Sequence, residues 1–442
     1  LPGLALRLSG THAPAPVTAL LSGTAILGAS FLLLWACDAA QADISQTLAL
    51  AVVALIAVLP EYAVDMYFTW QAGQHPESAY AHYAVANMTG ANRLLIGVAW
   101  GAIVLVFWLK TRKPVVIDAE RRLELLFLAL ATVYAFVIPL KGSLAWYDGA
   151  VFLGLYGWYM ALAGRRPCAE CEVEGPAELL TRMPGAQRRA GTAALFLFAA
   201  VAIGVNAEPF CEGLVGTGRI LKISEFLLVQ WLAPIASEAP EFIVAISFAV
   251  RKQASLALGS LLSAKLNQWT LLVGMIPLVY AISHGSLDHP IPMGAFQMDE
   301  IMLTAAQSLM AVVLLATLRL SIWQAGFLFA MFLAQFVSGP VIEEYPWLFP
   351  AGFTGQRAHE VFSLIYVVAA LAVVADSPAR IIGLGRGTLR PEPESEERQP
   401  VGVLEGITGE AFEPGRGPVC RTCPHRAASL SRKEQNNTLP TP

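Results

Sequence analysis

Eleven apolar runs, each between 17 and 29 residues long, divide this chain of 442 residues. A helix of roughly 17–25 apolar residues crosses the ~30 Å hydrocarbon core of a bilayer. The runs cover 18–38, 46–70, 83–109, 123–139, 145–163, 190–206, 223–250, 255–283, 301–318, 321–341 and 360–376. Backbone groups inside a bilayer must be satisfied within the protein, so the expected fold is an all-α polytopic membrane protein. Composition agrees: 56% hydrophobic, 14% charged, mean hydropathy +0.56. That balance excludes a soluble enzyme. A net charge of −4 with no basic face excludes a nucleic-acid binder. The first run has one Arg before it and no clear cleavage site, so it reads as a span rather than a secretory signal.

Lysine and arginine are distributed unevenly. The joints after odd-numbered spans and the stretch beyond 376 hold 22 of the 29; the N-terminus and the joints after even-numbered spans hold Arg7, Lys141, Arg219, Lys222 and Arg357. Positive charge collects on the cytoplasmic side. This places residues 1–17 outside, the 164–189 loop inside, and the Pro-, Glu- and Arg-rich 377–442 inside as a mostly disordered tail, in a plasma (inner) membrane. Arg93 and Lys265 lie within spans.

The chain also repeats itself. Leu59-Pro60-Glu61-Tyr62 in the second span answers Ala239-Pro240-Glu241-Phe242 in the seventh, 180 residues on. Asn87 and Gly90 in the third answer Ser260 and Ser263 in the eighth, at 173; Trp146 answers Trp323, at 177. Spans one to five (18–163) therefore match six to ten (190–341), and 360–376 is appended. Five is odd, so the halves have opposite topology. Two inverted five-helix repeats are the mark of a secondary transporter with its site near the midplane.

The ionisable residues sharpen that expectation. Glu61, Asp65, Arg93, Glu238, Glu241 and Lys265 lie inside spans, where each unpaired charge costs roughly 2.5–3.5 kcal/mol. Asp65 follows Glu61 by four and Glu238 precedes Glu241 by three, so each pair shares a helix face. Pro60 and Pro240 each remove a backbone donor and free a carbonyl, of Ile56 and of Ala236. A freed carbonyl beside a carboxylate suits a hard cation. Four carboxylates against Arg93 and Lys265 as counter-charges leave −2, enough for one divalent cation, two monovalent ones or two protons. Asn87, Asn92, Ser237, Ser260, Ser263, Asn267 and Gln268 are at hand to complete a coordination shell, Asn87 and Ser237 foremost. The alternatives are a static ion-pair network and close helix packing.

These residues resemble the calcium/cation antiporter superfamily, whose best-known members are the sodium/calcium exchangers. Its two alpha repeats carry Gly-Thr-Ser-x-Pro-Glu and then Gly-Asn-x-x-Gly-Ser-Asn. The first copy here keeps Pro60-Glu61, Asn87, Gly90 and Asn92; the second keeps Ser237 (displaced by one), Pro240-Glu241 and Gly259. The resemblance implies that Glu61 and Glu241 bind the transported cation, and that ten core spans run with an outward N-terminus and a cytoplasmic middle loop. It implies exchange of calcium or a similar cation for protons or sodium, with no cofactor required. The chain departs from the motif at Ala57-Val58, Ser260, Ser263 and Lys265, and carries Asp65 and Glu238 where hydroxyls are usual. An ammonium at Lys265 would stand where a monovalent ion binds. Sodium ligands are then lost, and carboxylates in close array can share protons instead. A sodium/proton exchanger and a transport-inactive scaffold or sensor remain as other readings. No nucleophile–base pair marks a membrane enzyme, and Gly383-Leu384-Gly385-Arg386-Gly387 lacks the strand and helix of a nucleotide loop.

Cys168 and Cys171 in the middle loop, and Cys420 and Cys423 in the tail, are two Cys-x-x-Cys hooks with the internal spacing of a four-thiolate zinc site. The alternative is two unrelated thiol pairs. His75, His82, His284 and His289 fall near the outer face. The expected partners are the lipid bilayer and inorganic cations.

Overall fold

The computed structural model describes residues 13–40, 43, 58–164, 176–376, 378 and 383. Eleven helices carry the chain: α1 Ala15–Ala40, α2 Leu59–Gln74, α3 Tyr80–Thr111, α4 Ala119–Lys141, α5 Trp146–Ala163, α6 Gly185–Leu221, α7 Glu225–Val250, α8 Ala254–His284, α9 Ala295–Leu315, α10 Ile322–Glu344 and α11 Gly355–Asp376. Among the described residues, nine are long and apolar enough to span a bilayer; α2 and α5 are the other two. α2 is described from Leu59, and its first turns carry Glu61 and Asp65. α5 opens on Trp146-Tyr147-Asp148. The fold is an all-α polytopic membrane protein, as the apolar runs require. Leu140, Leu197 and Trp323 are among many large apolar side chains left exposed, as lipid contact demands.

Three span edges differ from the reading of hydropathy. α6 continues past 206 through Asn206, Glu208, Pro209 and Glu212 to Leu221. Asn206 is buried, and half-buried Glu212 is engaged by other helices, which makes the extension possible: Tyr67 and Tyr80 both donate to Glu212 Oε1 at 2.8 Å. α6 also begins at Gly185, and a short helix lies at Ala177–Thr181, so 164–189 is not all loop. α9 begins at Ala295 and takes Glu300 into the bundle.

The repeat is visible in the joints. Val115–Val116 (β1) pairs antiparallel with Arg319–Leu320 (β2), and Leu144 bridges Ile291. The two contacts exchange under a shift of 176 residues (291 − 115 and 320 − 144). Each clips a joint of one half to a joint of the other, and α4 and α9 lie between the clips. A second echo is internal to the helices: α3 widens to a π segment at Leu95–Trp100 and α8 at Gln268–Leu272, 173 apart. Such segments often sit at functional sites.

Close helix approach requires glycine most tightly at Gly90. Pro234 lacks an N–H, so the Gln230 carbonyl has no helical partner. Gly90 of α3 packs onto that carbonyl; a Cβ there would sit 1.9 Å from the oxygen.

Candidate functional site: an acidic pocket between the two Pro-Glu turns

Pro60 lies in the first turn of the described part of α2, buried, and places Glu61 one residue on. The Ile56 carbonyl lies outside the described residues. Pro240 interrupts the hydrogen-bond ladder of α7, so the Ala236 carbonyl has no donor at Pro240. The two turns face each other. Glu61, Ser237, Glu238 and Glu241 line one small cavity together with Val58, Leu95, Ala264 and Gln268. Its accessible volume is about 10 Å³, room for one water-sized particle. The glutamates of the two repeats thus meet, although they stand 180 residues apart in sequence.

Around the cavity the polar side chains interlock. Asn87 Nδ2 donates to Asp65 Oδ1 at 2.8 Å. Gln268 Nε2 donates to Glu238 Oε1 at 2.9 Å. Tyr62 Oη donates to Asn267 Oδ1 at 3.0 Å. Lys265, fully buried, donates to Asn92 Oδ1 at 2.6 Å and lies 4.5 Å above the Trp269 ring. It stands within electrostatic reach of Glu238 and Glu61. Asp65 is likewise within reach of both glutamates. Ser237 donates its hydroxyl back to the Ala233 and Pro234 carbonyls, which leaves its oxygen free to accept or ligate.

Six buried oxygens in this zone have no hydrogen-bond partner among the described residues: Glu61 Oε1, Asp65 Oδ2, Asn87 Oδ1, Glu238 Oε2, Glu241 Oε2 and Gln268 Oε1. Buried polar atoms in proteins are nearly always satisfied, and an orphan calls for an explanation such as a bound ion. Here all six are oxygens with lone pairs to give, the ligand type of a hard cation. Among the described residues no three His, Cys, Asp or Glu side chains meet at metal-ligand distance. A shell in this conformation therefore mixes carboxylate with amide and hydroxyl oxygens.

Three sequence expectations need correction. Ser260 is exposed and donates to the Ala257 carbonyl at 2.9 Å; it shares a helix face with Ala264 and Gln268 but lies a turn before them, outside the residues that line the pocket. Arg93 is a counter-charge, but to Glu300 of α9 rather than to the acidic pocket. It points about 100° around α3 from Asn92, to a different neighbour. Asn92 itself is engaged by Lys265, so its amide oxygen is not free for a cation. With Arg93 gone from the pocket the balance is −3, not −2. Glu300 lies one residue before the apolar run that starts at 301; its signal in the sequence is the Gln297-Met298-Asp299-Glu300 turn. Cys168, Cys171, Cys420 and Cys423, with the zinc reading and the tail, lie outside the described residues. Cys37 is buried and free, as expected of span packing.

Two inverted five-helix repeats whose Pro-Glu turns meet at a buried acidic pocket define a secondary active cation antiporter. The sodium/calcium exchanger protein family model matches residues 14–164 and 191–337. The chain belongs to that family, and with it to the calcium/cation antiporter superfamily. Among solved structures it is similar to one described as the H+/Ca2+ exchanger CAX, at 43% identity over 88% of this chain and 94% of that one, with a TM-score of 0.80. It is also similar to the sodium-calcium exchanger NCX_Mj, at 20% identity over 73% of this chain and 98% of that one, with a TM-score of 0.49. No curated protein matches.

Proposed function

We propose that the protein exchanges calcium, or a cation like it, for protons by alternating access. Glu61 and Glu241 are the central ligands. Asp65 and Glu238 are auxiliary carboxylates that carry protons when the cation leaves, and Asn87, Ser237 and Gln268 add neutral oxygens. The observation that carries this reading is the set of six unpartnered buried oxygens in and around the cavity between the two Pro-Glu turns, four of them on residues that line it. A pocket balance of −3 accepts one divalent cation and one proton together, and further protons once the cation departs. Lys265 on Asn92 supports protons over sodium: its ammonium takes an amide oxygen that a sodium ion would need. The similarity to a chain described as an H+/Ca2+ exchanger supports the same choice. The lysine and arginine distribution supports a plasma-membrane orientation with the N-terminus outside and the C-terminus cytoplasmic.

The test is calcium flux into proteoliposomes under an imposed pH gradient, repeated with Glu61→Gln and Glu241→Gln. Wild type is expected to accumulate calcium as protons leave, and both variants to lose uptake. Sodium flux coupled to protons without calcium movement would replace the reading with a sodium/proton exchanger. No flux under any gradient would leave a scaffold or sensor.

A further inference from the structure

A second polar cavity, of about 870 Å³, lies on the other side of α3 from the acidic pocket. It opens at the end of the bundle marked by the joint residues Ala79, Lys222 and Ser224 and the start of α11 at Gly355, and it reaches inward to Arg93, Glu300 and His359. Glu300 is 1% exposed. Its Oε2 takes the Arg93 guanidinium and, at 2.8 Å, the Gln230 amide. Its Oε1 stands 3.4 Å from His359 Nδ1. The wall also presents polar atoms without a hydrogen bond among the described residues: Arg93 Nε, Gln335 Oε1 and His359 Nδ1.

We propose that Glu300 and His359 form a second proton-binding site, filled from this cavity and separate from the cation pocket. Arg93 and Glu300 cancel each other, and His359 Nδ1 faces the other carboxylate oxygen at 3.4 Å without a hydrogen bond. A proton on Nδ1 turns that contact into a charge-assisted hydrogen bond, the stronger kind. No divalent cation fits there, because the guanidinium already occupies the carboxylate. The groups facing His359 from the neighbouring helices are Arg93, His82 and Tyr83 of α3, Glu225 of α7, Asp299 and Glu300 of α9 and Glu343 of α10, with Lys222 at the rim. Arg357 and Glu360 flank it on α11. Glu300 is the carboxylate among them in ion-pair contact with the imidazole.

The site owes its imidazole to the appended helix. Glu124, the repeat partner of Glu300 (300 − 124 = 176), accepts from Arg121 at 2.8 Å and from Tyr159 at 3.2 Å. α11 stands outside the repeat, so that half has no counterpart of His359. Gln356 fixes the first turn of α11 to Asp299 at 2.7 Å. The route to transport is short: Arg93 follows Asn92, which holds Lys265 beside the acidic pocket, and the π segment of α3 begins two residues later. A proton that draws Glu300 toward His359 loosens Arg93 and shifts α3.

Two measurements on the full chain test this, and only the second is independent of the antiport reading. In proteoliposomes at fixed internal pH, wild-type calcium flux is expected to change roughly fivefold between external pH of about 5.5 and 7.5, where histidine titrates. His359→Gln should flatten that limb, while His284→Gln keeps it. In micelles, the histidine NMR resonance missing from His359→Gln should titrate in wild type, with a midpoint moved by Glu300→Gln and unmoved by Glu61→Gln. Glu300→Asp, which withdraws the charge without removing it, serves if Glu300→Gln does not fold. Superimposable pH profiles for wild type and His359→Gln, or a His359 resonance indifferent to residue 300, would overturn the proposal. Absent flux with the expected titration would fell only the antiport reading.

Discussion

The acidic pocket and the Arg93–Glu300 cluster lie on opposite sides of one helix, and both bury charge. They differ in closure. At Glu300 a guanidinium, an amide and an imidazole surround a single carboxylate, and the charge is matched within the protein. Between the Pro-Glu turns, carboxylates from α2 and α7 face one lysine, and six oxygens are left over. Buried charge that finds a protein partner braces a bundle. Buried charge left short of one is where a mobile ion contributes the missing interaction.

Substitutions can break this contrast, and the largest effect should come from the unmatched side. Glu61→Gln or Glu241→Gln is expected to lower cation flux roughly hundredfold, the scale of about 3 kcal/mol lost with one buried charge partner. Flux within a factor of two of wild type would show that the pocket does not carry the ion. On the matched side the cost should fall on stability. Arg93→Gln or Glu300→Gln alone strands the other charge, at about 3 kcal/mol, and the double variant should recover much of that. Thermal unfolding in detergent reads it, and additive losses would argue against a coupled pair. Between the two regions sits the contact of α3 with α7. Gly90→Ala drives a methyl into the Gln230 carbonyl and should cost about 2 kcal/mol or more, seen as lower yield and melting temperature. Gly28→Ala, with open space around it, should cost nothing measurable. Lys265→Asn sharpens the question of coupling: it restores an amide at the motif position and should make flux respond to sodium. Transport that stays pH-driven and sodium-blind would count against the ammonium as a stand-in for sodium.

The smallest effect lies outside the membrane. Asp43 accepts from Arg188 at 2.7 and 2.6 Å and from exposed Arg189 at 3.2 Å. The Arg188 hydrogen bonds hold its carboxyl down to about 2, aided by Arg189. A depressed carboxyl stabilises fully above its ordinary value of about 3.9 and loses that contribution as pH falls toward 2. Asp43→Asn should therefore cost less than about 1 kcal/mol near neutrality, and its melting curve should converge on wild type in strong acid. A gap that persisted there would show that charge is not the cause.

Much of the scaffold is legible in the sequence. Among the described residues, nine helices long and apolar enough to span, the repeat and the paired Pro-Glu turns follow from runs, offsets and spacing, because hydropathy and proline geometry act locally. The failures share one cause. Ser260 has the right spacing from Glu241 and shares a face with Ala264, but lies a turn away from the pocket in an exposed position. Glu300 falls one residue outside an apolar run, yet packing carries the helix over it. The polar stretch from Asn206 to Glu212 looks like an end, but tyrosines from α2 and α3 bury it. Each turns on a neighbour distant in sequence.

Residues 92 and 93 divide the two kinds of knowledge. The chain alone decides that both are polar, that both enter the membrane, and that something must compensate them, since transfer from water is a property of each side chain. Consecutive positions on a helix point about 100° apart, so Asn92 meets Lys265 by the acidic pocket while Arg93 meets Glu300 by the larger cavity. Which charge meets which depends on how α3 is rotated against α7, α8 and α9. That rotation is set by close packing at places such as Gly90, a property of the assembled bundle that no single segment carries.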